Sequence, residues 1–160
     1  MSEDGQLQVQ MTDEVRQLLQ ERMILLDDVE RVIRQAEDTG RKLINQATGR
    51  FLASLRPKAV TFWVEYEPAG TGFRVVTAYS HRMVMKSSGS TREWVRSGGD
   101  SEWRCNQCQE LLAVHTVRLQ YMQSIFPINL PACSGCGFIL VAEELATGKV
   151  AEAEQALEDK

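Results

Sequence analysis

The sequence predicts an α+β protein in two modules. Residues 12–85 read as two helices followed by a small antiparallel sheet, and residues 103–160 as a four-cysteine, zinc-ribbon-like module with a terminal helix. Three observations predict this. Apolar residues recur with a 3.6-residue period as far as Gly40 and with period two from Arg50 to Tyr79. Between residues 86 and 102 the apolar pattern lapses into KSSGSTREWVRSGGDSE, a stretch of Ser, Gly and charge that reads as a linker. All four cysteines lie beyond that stretch.

Residues 1–11 are expected to be a mobile arm. From Thr12, Val15, Leu18, Leu19 and Arg22 follow the helical period, with Thr12 or Asp13 placed to cap. A second helix opens at Asp27, with Glu30 three residues on in the capping-box position. Val29, Val32, Ile33 and Ala36 form its apolar stripe, and Gly40 ends it. Arg50 to Leu55 is a short strand, and Val60, Phe62, Val64 and Tyr66 alternate along a clearer one. Glu67 to Gly72 supplies a Pro- and Gly-bearing hairpin loop, and Phe73 to Tyr79 returns. Beyond the linker, Leu111–Tyr121 and Ile125–Leu130 are strands and Phe138–Val141 a short third one. Residues 143–159 read as a helix that Gly148 weakens in its middle.

Aromatic residues fall on both faces of the first sheet: Trp63 stands opposite Phe62 and Tyr66, with Phe73, Tyr79 and Met83 nearby. Two short helices cover one face only. Either the ribbon covers the other, or a partner protein does, and the expectation carried forward is a partner.

The chemistry lies in Cys105-Asn106-Gln107-Cys108 and Cys133-Ser134-Gly135-Cys136. A CxxC turn aims two sulfurs at one point, and two such turns make a tetrahedral cage for one ion. The spacer from Gln109 to Ala132 holds two strands, which lets the ribbon close, and Gly137 tolerates a positive φ after the second turn. Two disulfides do not suit a cytoplasmic protein, and neither pair opens a helix in the thioredoxin manner. Zinc is the expected metal; iron in the same cage is the alternative, because four thiolates suit both.

No other residue competes as a ligand. His81 and His115 read as satisfied structural histidines, Met83 and Met85 as filler, and Glu65 and Glu67 as solvated hairpin residues. Arg82 beside His81 is a weak candidate for an anion contact. No phosphate-binding loop, GxGxxG, nucleophile elbow or HExxH occurs, so no catalytic residue is assigned. Apart from the local likeness of the two cysteine pairs, no internal repeat is evident.

Net charge is −4 overall. By segment it is −1 over residues 1–85, zero over 86–102 and −3 over 103–160, so the cysteine module is a poor fit to a phosphate backbone, and nucleic acid is not an expected partner. No apolar run reaches the ~20 residues that cross a bilayer. The acidic, polar start is neither a secretory signal nor a transit peptide, and the expected location is cytoplasmic.

Residues 103–160 resemble a family of very small redox proteins of anaerobic bacteria. The match rests on CxxC, a strand ending near Tyr121 and Phe126-Pro127, CxxCG, and a helix with Gly148-Lys149-Val150-Ala151-Glu152 that ends Glu158-Asp159-Lys160. Ser134 departs from the pattern, standing where many such turns carry Pro. Residues 21–85 are similar to a segment found beside iron–sulfur-linked pyridine-nucleotide oxidoreductases. Together the resemblances imply an accessory subunit of a flavin and iron–sulfur enzyme complex, with the oxidoreductase subunits as partners. A rubredoxin-like electron carrier is the alternative, and a nucleic-acid-binding ribbon ranks last.

Overall fold

The structure is a computed structural model that describes residues 7–86 and 95–159. The first helix, α1 (Asp13–Glu21), begins as its sequence requires: the Thr12 hydroxyl accepts the Val15 amide at 3.2 Å. Helix α2 (Leu26–Thr39) starts earlier than expected. Leu25 is its N-cap, and the Asp28 carboxylate, three residues on, accepts the Leu25 amide at 3.0 Å. Asp27, the expected cap, lies inside the first turn, where its charge suits the helix dipole. Gly40 closes α2 in the left-handed conformation, as expected.

The strands are β1 (Val9–Gln10), β2 (Leu43–Asn45), β3 (Phe51–Leu55), β4 (Thr61–Ala69), β5 (Gly72–His81), β6 (Val84–Lys86), β7 (Val95–Cys105), β8 (Leu111–Tyr121) and β9 (Ser124–Ala132). They form one mixed sheet in the order β1-β5-β4-β3-β2-β7-β8-β6, with β9 on β8. This corrects the expected fold class, in which a small N-terminal sheet was joined by a linker to a separate ribbon. The three-residue β2 pairs antiparallel with β3 on one side and β7 on the other, so the sheet runs unbroken through both halves. Residues 95–102, expected in the linker, are most of β7. Two register breaks, between Arg96 and Asp100 and between Asp100 and Arg104, erase the period-two signal there. Residues 1–6, residues 87–94 including Trp94, residue 160, and the Met85 and Lys86 side chains lie outside what is described.

Smaller corrections follow the same logic. Val9 and Gln10 of the expected mobile arm pair in parallel with Phe73 and Arg74. The hairpin loop shortens to Gly70-Thr71, because Pro68 is accommodated within β4 opposite Phe73. Phe138–Val141 is no strand: its ladder contact is a single bridge, Ala132 to Ile139. The C-terminal helix runs as α3 (Glu143–Leu145), a π-turn over Ala146–Val150 that contains Gly148, and α4 (Ala151–Glu158).

Two cores result. Helices α1 and α2 pack Leu19, Val29, Val32, Ile33 and Ala36 against Ala53, Val64, Tyr66, Val75 and Ala78 on one face of β3–β5. On the other face, Leu52, Trp63, Tyr79 and Met83 meet Phe138, Leu140, Val141, Ala146 and Val150. Trp63 and Tyr66 are fully buried, and Tyr79 and Met83 are 2% exposed. The aromatic face is therefore covered from within the chain, which overturns the expectation that a partner protein covers it. The Trp63 ring stacks on Tyr79 at 6.1 Å and meets Phe138 edge-on at 6.0 Å, while the Tyr79 hydroxyl donates to the Val141 carbonyl at 2.7 Å. Among the described residues no helix is long and apolar enough to cross a membrane.

Candidate metal centre

Each cysteine pair sits in a tight turn built by the same backbone bonds. In the first, the Cys105 amide donates to the Glu110 carbonyl and the Gln109 amide to the Cys105 carbonyl, both at 2.8 Å. In the second, the Cys133 amide donates to Phe138 and the Gly137 amide to Cys133, again at 2.8 Å. The fifth residue of each turn is left-handed: Gln109 at φ 59° and Gly137 at φ 84°. The first turn ends β7 and starts β8, and the second follows β9. The β7–β8–β9 pairing thus brings the two turns together.

The four sulfurs lie within 4.8 Å of one another, and Cys105 Sγ is 3.7 Å from Cys136 Sγ. Four sulfurs about 2.3 Å from a shared ion at tetrahedral angles stand about 3.8 Å apart, so the set has the dimensions of a single-ion cage. Cys105 and Cys133 are buried, while Cys108 and Cys136 lie toward the surface. Gly135 is required by the closeness of the turns, since a Cβ there would sit 3.0 Å from Cys108 Sγ. None of the four is in a disulfide.

The electrostatics of the bare thiols show which sulfur the turns favour as thiolate. Burial pushes Cys133 up, against the Cys136 and Gly135 amides that point at its sulfur. Burial also acts to raise Cys136, but the Phe138 amide and the thiols around it prevail and hold it below the ordinary thiol value. Cys108 is raised, first by burial and then by hydrogen bonds to Cys133 and Cys136. Four crowded thiols that cannot all ionise alone are what a divalent cation resolves.

The cage is tied to the N-terminal half through residues that sequence reasoning overlooked, the two between Cys105 and Cys108. The Asn106 side-chain amide donates to the Gly40 carbonyl at 2.8 Å, its backbone amide to Lys42 at 3.0 Å, and the Gln107 side-chain amide to Thr39 at 3.3 Å. The Thr39 and Gly40 carbonyls are at the end of α2, where the helix supplies no donor, and Lys42 leads into β2. In addition, the Arg41 guanidinium lies 4.8 Å from the Phe138 ring centre. The metal turn is thus the C-terminal cap of α2.

A third turn has the same construction without cysteine. The Asn45 amide donates to the Arg50 carbonyl and the Gly49 amide to the Asn45 carbonyl, both at 2.8 Å, and Gly49 is left-handed at φ 76°. Asn45 Oδ1 accepts the Ala47 and Thr48 amides at 2.8 and 3.0 Å, the same two positions whose amides approach Cys133 Sγ in the second metal turn. The signal lay in Asn45-Gln46-Ala47-Thr48-Gly49, a counterpart of Cys133-Ser134-Gly135-Cys136-Gly137 with polar residues for the cysteines.

The histidines are structural, as expected. His81 Nε2 accepts the Trp63 indole N–H at 2.9 Å, and Nδ1 donates to the Met83 carbonyl at 2.9 Å; burial lowers its pKa from 6.5 to about 4. His115 is buried and bonds the Ala113 carbonyl through Nδ1 at 2.8 Å. Arg82 pairs with Glu158, so it offers no vacant anion contact. Glu67 pairs with Arg74 and Arg50, and Glu65 with Arg50, on the hairpin.

Compared with known proteins, residues 101–160 match a family described only as a domain of unknown function, DUF7479. No curated protein and no solved structure matches the chain.

Proposed function

We propose that this chain is a non-catalytic, metal-binding accessory protein whose four cysteines hold one structural zinc ion. The observation that carries it is the capping of α2 by Asn106 and Gln107: the cage is built into the seam between both halves of the sheet, and an ion there holds the seam. A closed set of four thiolates leaves no position for substrate or water, which is the arrangement of structural zinc rather than catalytic zinc. The partner class is the one the resemblance implies, the subunits of a flavin and iron–sulfur oxidoreductase in the cytoplasm. Since the aromatic face is internal, the contact belongs to another surface.

Elemental analysis of the purified chain should give about one zinc per chain, and Cys133→Ser should lose it. Affinity purification from native cells should recover oxidoreductase subunits with the chain. Cofactor-independent recovery of nucleic acid instead would refute the partner class.

One observation favours a second reading, an iron centre that passes single electrons. Cys108 and Cys136 face the surface and Cys136 Sγ receives the Phe138 amide, so a donor could approach within a short distance of sulfur. Visible absorption separates the two, because iron–thiolate centres are coloured and zinc is not.

A further inference from the structure

The register breaks in β7 have a chemical outcome beside the cage. Arg96, Asp100 and Arg104 pair with His115, Ala113 and Leu111 of β8. Cross-strand partners share a face, and alternate residues of β8 share one face. The two breaks therefore place three charged residues, four apart in sequence, as successive neighbours on one side of the sheet. Gly98 permits the first break, because a Cβ there would stand 3.0 Å from the Val114 side chain.

These residues wall a bowl of about 390 Å³, within the range of small-molecule sites. Leu111, His115, the almost fully buried Ala113 and Ala132, and Ser134 of the second metal turn also line it. The two arginines differ. Arg96 is held by Asp100 at 3.2 Å. Arg104 is half-buried, donates to the Gln109 carbonyl at 2.7 Å, and has no carboxylate within ion-pair distance among the described residues. Five donors on a planar fork leave it capacity for a carboxylate.

We propose that this bowl binds a small organic carboxylate, its acid group on Arg104 and its body beside the half-buried Leu111. Asp100 and Glu110, which also line the bowl, oppose ligands with several negative charges and so disfavour inorganic phosphate. The inference stands whichever metal occupies the cage.

The test is a titration of the metal-loaded full chain, followed by amide resonances, with benzoate as the probe. Benzamide serves as its uncharged counterpart and inorganic phosphate as a generic anion. Benzoate should bind with a dissociation constant on the order of 1 mM and move the resonances of residues 111–115. Benzamide and phosphate should bind at least roughly tenfold more weakly, and Arg104→Gln should weaken benzoate by a similar factor. Should Arg104→Gln disturb the adjacent turn, Arg104→Lys keeps the charge and a donor for Gln109 but not the fork, and should still bind several-fold more weakly. Benzamide binding as well as benzoate, phosphate displacing it at equal concentration, or full affinity in both Arg104 variants would each overturn the proposal. So would the absence of any shift at about 20 mM benzoate.

Discussion

Removing the Asn106 side chain tests whether the metal turn and α2 form one cooperative unit. Asn106→Ala deletes the 2.8 Å bond to the Gly40 carbonyl at the end of α2, which keeps the Lys42 amide as a donor at 3.1 Å, and the backbone bond from Asn106 to Lys42 stays. A lost bond of this kind costs about 1 kcal/mol, and the carbonyl's remaining donor keeps the loss near that value. For a chain of this size the expected fall in melting temperature is about 2–4 °C. The Trp63 ring contacts Phe138, which follows the second metal turn, so tryptophan fluorescence reports the same seam. The assay is urea unfolding of the zinc-loaded protein, followed in parallel by fluorescence and by zinc release to a coloured chelator. Both midpoints should move together. Gln107→Ala, whose bond is longer and exposed at 3.3 Å, should cost less than about 0.5 kcal/mol. An Asn106→Ala protein that matched the parent in both midpoints would refute the coupling, as would release of zinc with fluorescence unchanged.

Three further outcomes follow. Trp63→Phe deprives buried His81 Nε2 of its donor and should lower stability by about 1–3 kcal/mol, measured as a shift of the urea midpoint at constant slope. The pKa of His81 is lowered by burial to about 4, so the unfolded chain binds more protons below pH 6.5; stability should be whole above that pH and fall by about 3 kcal/mol as the pH drops toward 4. A His81 ring seen by NMR to titrate near 6.5 would contradict this. Glu154 Oε2 is buried and accepts the Arg82 and Met83 amides at 2.7 and 2.8 Å, so Glu154→Ala should cost about 2–4 kcal/mol, read from chemical denaturation of the zinc-loaded chain.

Local signals in the sequence were sound where a single physical cause acted. Thr12 caps, Gly40 stops, and Val29 to Ala36 face the core, because each depends on neighbours a few residues away; the two CxxC turns were legible as a pair because they share one motif, although strand pairing is what brings them together. The architecture was hidden because it rests on β2, three residues too short to show a period, and on β7, whose bulges scramble alternation. The aromatic residues misled for a related reason. Trp63 and Tyr79 do occupy the face opposite the helices, but what covers them is Phe138 to Val150 of the same chain, a contact that no local pattern encodes. Likewise, Asn106 and Gln107 looked like spacers, since their partners lie more than sixty positions away.

The turn at Asn45 is a control experiment that the molecule carries within itself. Its loop closes with the same two backbone bonds as the cysteine turns, and a carboxamide oxygen gathers the amides that elsewhere converge on sulfur. The shape of such a loop is therefore available to the chain with no ion at all. What the ion adds is the bond between two loops, not the loops themselves. Losing the ion would part the two loops and loosen the α2 end together, while each loop has backbone bonds of its own to close it.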